Sequence, residues 1–423
     1  MSKSYSKNSY KSREELYNLI VSQLFYDGYQ TVATSLTSLL NFPVICTPSD
    51  KLANLVTKNY EERNINNYDI YTSADCLDFE EEFYGKTSSP EPGLYETKYL
   101  TAHKGPCRVV HFSPDGDLIA TGSLDTSIKI LNVDKIMMRS APNTQEILQQ
   151  NSENHPVIRT LYDHIGEVTS LQFHPTAPII ISGSKDCTIK VFDYSKPTLK
   201  KAIKYIQECE PVNTISLHTS GDYILVGTNH PTLRLYNLAT SQCYVSPQPL
   251  DQHTQALNSI MYNYESRIYV TSADDGDIKI WDGISNRCIN HFPRAHEGFP
   301  VISAYFSKNG KYILSTARDG SIKLWELSAS RCLIAYSGVV CNSGSPDFGS
   351  PAVFNHTEDF ILYPDEKSAS LYSWDSRTAL IQSSLPLGHN GPVRSIQHSS
   401  SIPLFVTCSE DFRARFWARK LEF

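Results

Sequence analysis

Histidine and aspartate recur in this chain at a spacing that could do acid–base chemistry. His103 precedes Asp125, His164 precedes Asp186, His253 precedes Asp275 and His389 precedes Asp411, each by 22 residues; His296 precedes Asp319 by 23. One such pair could be an imidazole base oriented by a carboxylate, or half of a metal site. Five pairs argue otherwise, because an active site stands out as a local exception to a repeat and none of these does. A buried carboxylate is tolerated when it is fully hydrogen-bonded, and turn amides with an imidazole can supply those bonds. The pairs therefore read as structural. No glycine-rich phosphate loop opens a helix and no G-x-S-x-G elbow occurs, so catalytic residues, cofactor and metal are all expected to be none. The 10 cysteines contain no C-x-x-C pair, which removes the usual zinc and redox signatures. With no apolar leader in the chain, they read as reduced, mostly buried small hydrophobes. No stretch of about eighteen apolar residues is present, so no membrane span is expected.

The elements that must position these pairs repeat with them. Six residues after each aspartate seat stands an aromatic or apolar anchor: Leu131, Phe192, Tyr236, Trp281, Trp325, Trp374 and Trp417. The anchors are separated by 61, 44, 45, 44, 49 and 43 residues. Each closes a short strand-like run, such as Ile278, Lys279, Ile280 and Trp281, and turn residues such as Ser113 to Gly116 divide the runs. A period near 44 residues means a radial or linear array of small units. Three units depart from the pattern. The third puts His230 in the aspartate seat and Glu210 and Pro211 where the histidine turn would be. The sixth puts Ser368 in the aspartate seat and lacks the histidine, and the first is followed by an expanded connection, 134–155.

This three-part spacing resembles the WD-repeat family over residues 92–423. The resemblance implies a mainly β fold, a seven-bladed β-propeller, preceded by a small α-helical domain. It also implies that histidine, a strand Ser or Thr, aspartate and Trp form one hydrogen-bonded network inside a blade. The chain ends soon after Trp417, so the outermost strand of the last blade is expected from Glu96 to Leu100, which would leave no exposed sheet edge.

Residues 1–11 are polar and read as a disordered tail, and 12–58 as a helical homodimerisation domain. Leu16, Leu19, Ile20 and Leu24 recur at helical spacing behind Ser12 and Glu15, a capping box. Asp27 and Gly28 break that helix, and a second is expected over 29–40 with Val32, Ala33 and Leu36 apolar. Residues 48–56 read as a short third helix, and 59–91 as a polar linker. Two helices this short cannot bury a core alone, so the face is expected to meet a second copy or the chain's own propeller. The string Leu16, Leu19, Ile20, Leu24, Tyr29, Ala33 and Leu36 resembles the LisH dimerisation motif. Arg413, Arg415, Arg419 and Lys420 form one basic group and Lys196, Lys200, Lys201 and Lys204 another; each either solvates the surface of a chain of net charge −7 or contacts RNA or an acidic partner.

Several non-repetitive segments carry a closer resemblance: 23–29, 102–108, 154–164, 192–197, 224–228, 230–236, 281–288, 352–359 and 411–417. Together they resemble the family of fifty-kilodalton WD-repeat subunits of the metazoan cleavage stimulation factor. That resemblance implies a non-catalytic nuclear scaffold in pre-mRNA 3′-end cleavage and polyadenylation. It implies self-association and docking of a HAT-repeat scaffold subunit. Through the complex it reaches an RRM-containing RNA-binding subunit, leaving this chain's own RNA contact indirect or weak. A tie to RNA polymerase II is implied too, for which the sequence shows no site. The alternative is a WD-repeat adaptor of another complex, such as a ubiquitin-ligase receptor or a chromatin factor.

Overall fold

The structure is a computed structural model that describes residues 17, 20–26, 28–40, 49, 77–79, 89–139, 155–196, 198–337 and 349–419. It divides into two compact units, Met1–Thr72 and Ser73–Phe423.

In the first unit residues 20–26 are helical and a second helix spans Gln30–Leu40. Gly28 ends the first helix in the left-handed region, at φ +85°. The amides of Gly28 and Tyr29 then bond back to the carbonyls of Phe25 at 3.3 Å and Leu24 at 2.9 Å. This is the Schellman closure, which a residue without Cβ adopts at no steric cost. The capping box, the third helix and the N-terminal tail lie outside the described residues.

The second unit is built from seven four-stranded antiparallel sheets. The first contains Cys107–Phe112, Leu118–Ser123, Ser127–Asn132 and Val157–Tyr162, innermost to outermost. The last takes its outer strand, Tyr95–Ala102, from the start of the domain and pairs it with Arg413–Arg419. Second strands such as Tyr312–Ala317 are buried along their whole length because a blade lies on each side. Outer strands such as Cys288–Phe292 alternate between partly buried and exposed until the buried Phe292. The core is accordingly a ring of slabs, one at each blade junction. Val406 and Phe416 meet Phe112 and Leu131 at the closing junction, and Ile128 and Leu161 meet Val168 and Phe173 at the next.

A β-bulge near the start of six innermost strands re-aims one residue towards the next blade. Thr169 Oγ1 donates to the Val212 carbonyl at 2.6 Å, Asn213 Nδ2 to that of Leu257 at 3.0 Å and Asn258 Nδ2 to that of Val301 at 2.9 Å. Arg108 and Arg394 occupy the same position in the first and seventh blades. Arg108 bonds Glu410 at 2.8 Å and pairs with Glu167, while Arg394 bonds Glu410 at 2.9 Å and Glu366 at 2.8 Å. These contacts tie four consecutive blades across the closure, and polar groups so paired can be buried without a large penalty.

Residues 77–79 fall inside the stretch whose composition reads as a polar linker, yet they pack on the propeller. Leu77 is 1% exposed in the slab between blades five and six. The linker expectation is corrected there. A single apolar residue in a polar, acidic run carries no periodicity by which to detect it.

Candidate functional site

Each repeated histidine sits on the loop entering a blade, and each repeated aspartate on the turn between that blade's second and third strands. In blade four they form an unbroken chain of bonds. Trp281 Nε1–H donates to Thr271 Oγ1 at 2.8 Å, and His253 Nε2 lies 2.7 Å from the same hydroxyl. His253 Nδ1 lies 2.9 Å from Asp275 Oδ2, which also accepts the Thr254 amide at 3.0 Å, while Asp275 Oδ1 accepts the Asp277 amide at 3.0 Å. The Asp275 carboxylate can only accept, so the neutral ring carries its proton on Nδ1 and Nε2 accepts the Thr271 hydroxyl proton, while the indole donates to the same hydroxyl oxygen. Burial alone would raise the carboxyl; the bond from His253 and the turn amides overrule it and hold it at about 2. Burial likewise keeps the His253 imidazole neutral, its pKa lowered despite Asp275. A neutral imidazole locked as a donor to one carboxylate has no free lone pair with which to act as a base.

Blade seven repeats the chain through Trp417, Thr407, His389 and Asp411 at 3.1, 2.9 and 2.9 Å. In blade five, Trp325 reaches Ser315 at 2.8 Å and His296 lies 2.7 Å beyond, but Ser321 stands between His296 and Asp319, at 2.6 and 2.7 Å. Burial, then Lys323, lowers the pKa of His296 to about 4. Blade two has Phe192 in the Trp seat and keeps Ser182, His164 and Asp186, at 2.7 and 2.8 Å. Blade one has Leu131 there and keeps Thr121 and His103 at 2.9 Å, with His103 Nδ1 3.1 Å from Ser127 and 3.4 Å from Asp125. The strand hydroxyl lies 18 or 19 residues after its histidine, a signal present in the sequence once the repeat is aligned.

Blades three and six use other devices. In blade three a buried ion pair, Arg234 to Glu208 at 2.5 Å, takes the place of the network. In blade six the Ser368 amide and hydroxyl bond Asp365 at 2.9 and 2.6 Å, and Trp374 Nε1–H donates to the Ser337 carbonyl at 3.1 Å. Sequence reading passed over both: Glu208 stands 22 residues before His230, in the seat the histidines hold elsewhere, and Asp365 has no counterpart in the repeat.

The innermost strands enclose a central channel of about 430 Å³, lined by His111, Gln172, Ser216, Met261, Tyr305 and Gln397 among others. Among the described residues no group of three or more His, Cys, Asp or Glu could hold a metal ion, and no helix is long and apolar enough to cross a membrane.

Among the described residues, the arginines near the C-terminus are spread along one strand. Arg413 and Arg419 are exposed at opposite ends of one strand, six residues apart and thus roughly 20 Å. Arg415 is half-buried and donates to the Gly388 carbonyl at 2.6 Å; Lys420 lies outside the described residues. Proximity in sequence is lost because an extended strand spreads its residues. In the second group Lys196, Lys200 and Lys201 are exposed, as is Tyr205, whereas Lys204 donates to the Leu238 carbonyl at 2.6 Å. Tyr194 is half-buried, edge-on to Phe173.

In the N-terminal unit Val21 and Ala33 are fully buried within one chain, while Ile20, Leu24 and Leu36 are half-buried. Tyr29 is 60% exposed and Val32 53%, leaving an apolar surface with no cover in the single chain. Val21 is the residue the helical stripe overlooked. Leu16 and Leu19 lie outside the described residues.

Comparisons with known proteins follow this division. Residues 8–63 match the family described as cleavage stimulation factor subunit 1, dimerisation domain. The WD domain, G-beta repeat, matches 95–132, 156–193, 244–282, 286–326 and 381–418. The stretches between them hold the third strands of blades three and six, the two without the histidine network. Cleavage stimulation factor subunit 50 of Arabidopsis thaliana is 36% identical over 420 residues, covering 95% of each chain. Pre-mRNA-processing factor 19 of Bos taurus is 29% identical over 176 residues, 41% of this chain and 33% of that one. Among solved structures, the β-propeller domain of Cps50 (Swd1) from Myceliophteria thermophila has a TM-score of 0.63 at 17% identity, over 77% of this chain and all of the other, which shows a shared fold.

Proposed function

We infer the role of this chain from the family to which it belongs, that of cleavage stimulation factor subunit 50: it is a non-catalytic WD-repeat scaffold, and its process is pre-mRNA 3′-end cleavage and polyadenylation. The observation that carries the reading is 36% identity running through 95% of both chains, helical unit and propeller alike. The locked histidines fit it, since they leave the blades rigid and chemically quiet. The chain forms a homodimer through its first unit, a reading supported by the dimerisation-domain match and by the uncovered Tyr29 and Val32.

Beyond this, the scaffold works in the nucleus, docks a HAT-repeat subunit on its propeller and reaches RNA through an RRM-containing subunit rather than by its own dispersed arginines. Affinity purification from nuclear extract is expected to recover both subunits. Recovery of cullins or histone-modifying enzymes in their place would move the chain to another complex. Val32→Asp places a carboxylate in the proposed dimer core and is expected to give monomers by sedimentation, with the propeller's melting transition unchanged. A dimeric Val32→Asp chain would locate the interface elsewhere.

A further inference from the structure

The packing of residues 77–79 has the form of peptide recognition. The Leu77 amide donates to Glu358 Oε2 at 3.0 Å, and Asn309 Nδ2 donates to the Leu77 carbonyl at 2.7 Å. Arg377 donates to the Asp78 carbonyl, Lys311 Nζ bonds the Asp78 carboxylate at 2.8 Å, and the Phe79 amide donates to Tyr312 Oη at 3.2 Å. The Leu77 side chain enters the slab that contains Tyr312, Tyr336 and Trp374, and the Phe79 ring lies edge-on to Tyr312 with centroids 5.3 Å apart. Main-chain groups supply the affinity in such an arrangement, and the Leu77 pocket, the Tyr312 ring against Phe79 and one basic group supply the selectivity.

Glu358 supplies the groove with a buried acceptor. It stands at the turn between the first two strands of blade six with φ +60°, where the corresponding turns of blades one, three and five carry Gly116, Gly221 and Gly310 at φ +82°, +82° and +69°. A glutamate is strained in that conformation, and this one is also 2% exposed, its pKa raised by burial. A glycine would satisfy the turn alone. What the carboxylate adds is an acceptor for two amides, Lys308 at 2.6 Å within the propeller and Leu77.

We propose that the groove between blades five and six is a docking site for an acidic peptide carrying an aliphatic–Asp–aromatic triplet, and that Leu77, Asp78 and Phe79 occupy it in cis. The acidic character follows from Lys311 on the Asp78 carboxylate and Arg377 beside it, and from Glu80, Glu81 and Glu82, which follow the triplet in the chain. A covalently attached ligand acts at an effective concentration in the millimolar range, on the order of 1 mM, so a free partner must match the triplet and displace it. The cis segment thereby sets a threshold for partner entry. The proposal is independent of the process in which the scaffold works.

The test uses the full chain and a fluorescein-labelled peptide with the sequence of residues 74–82. In the variant Leu77→Ala/Phe79→Ala the groove is vacated, and anisotropy is expected to show the peptide binding at least about ten-fold more tightly than to wild type. A folded variant that fails to bind the peptide, or binds one with Asp78 and Phe79 exchanged equally well, overturns the proposal. A second measurement needs no variant. Saturating unlabelled peptide added to wild type should raise hydrogen exchange at the Leu77 and Phe79 amides as the cis segment is displaced. Unchanged exchange would make residues 77–79 a permanent clamp and sink the exchange mechanism.

Discussion

Blade four and blade six reach the same four-stranded form with different interiors. Blade four carries an unbroken chain of bonds from Trp281 to Asp275. Blade six has no such histidine, and its Trp374 donates to a main-chain carbonyl instead. Both bury their tryptophan, at 0% and 1% exposure, in a slab shared with a neighbouring blade. The comparison separates two tasks that the repeat combines. Apolar packing between blades makes a blade, and the polar chain pins its upper turn. Blade six, freed of the second task, has innermost and outermost strands of only two residues, and it carries the turn at Glu358 that receives Leu77.

The largest expected effect is in blade four. Asp275→Ala removes the acceptor of one imidazole and two amides at a side chain 7% exposed, and should cost about 2–4 kcal/mol in a urea melt. Ser368→Ala at the same repeat position in blade six loses one hydroxyl bond and should cost about 1 kcal/mol or less. Equal losses would break the separation of tasks.

Acid should dissect the same network in two stages. The unfolded His296 titrates near 6.5, but in the folded chain burial holds it at about 4, so the unfolded state binds more protons between those values. Its contribution is complete above the unfolded value and is lost as pH falls towards 4. Asp275, held at about 2 against an ordinary 3.8, contributes at most about 2 kcal/mol, less where solvent screens it. That contribution is present above 3.8 and lost as pH falls towards 2. Stability measured against pH should therefore decline below about 6.5 and again below about 4, and a curve flat down to pH 4 would contradict neutral buried histidines.

A milder pair of substitutions sharpens the contrast. Trp281→Phe keeps most of the ring but leaves Thr271 without its donor, and should lower stability by about 1–2 kcal/mol. Trp374→Phe leaves only the Ser337 carbonyl short of one bond and should cost less, read as a smaller shift in the urea midpoint.

Blade number and the closing strand were legible because a blade is a local object. Its histidine, aspartate and anchor lie within about 30 residues, and the repetition separates shared chemistry from chance. The helical break at Gly28 was legible for the same reason, since a left-handed helix end is a property of a few adjacent residues. The binding features were less so. Val21 escaped the stripe because its complete burial within one chain depends on tertiary packing, which no single-helix periodicity expresses.

What sequence alone determined, then, is the repeat and the helical unit that precedes it. Tertiary structure decided what depends on ring closure. It placed Arg108 beside Glu410, 302 residues away, and Leu77 beside Glu358, 281 residues away. It also separated Arg413 from Arg419 along one strand. Such pairs have no common period, and their geometry exists only once seven blades have closed and each junction has chosen which side chains it will bury.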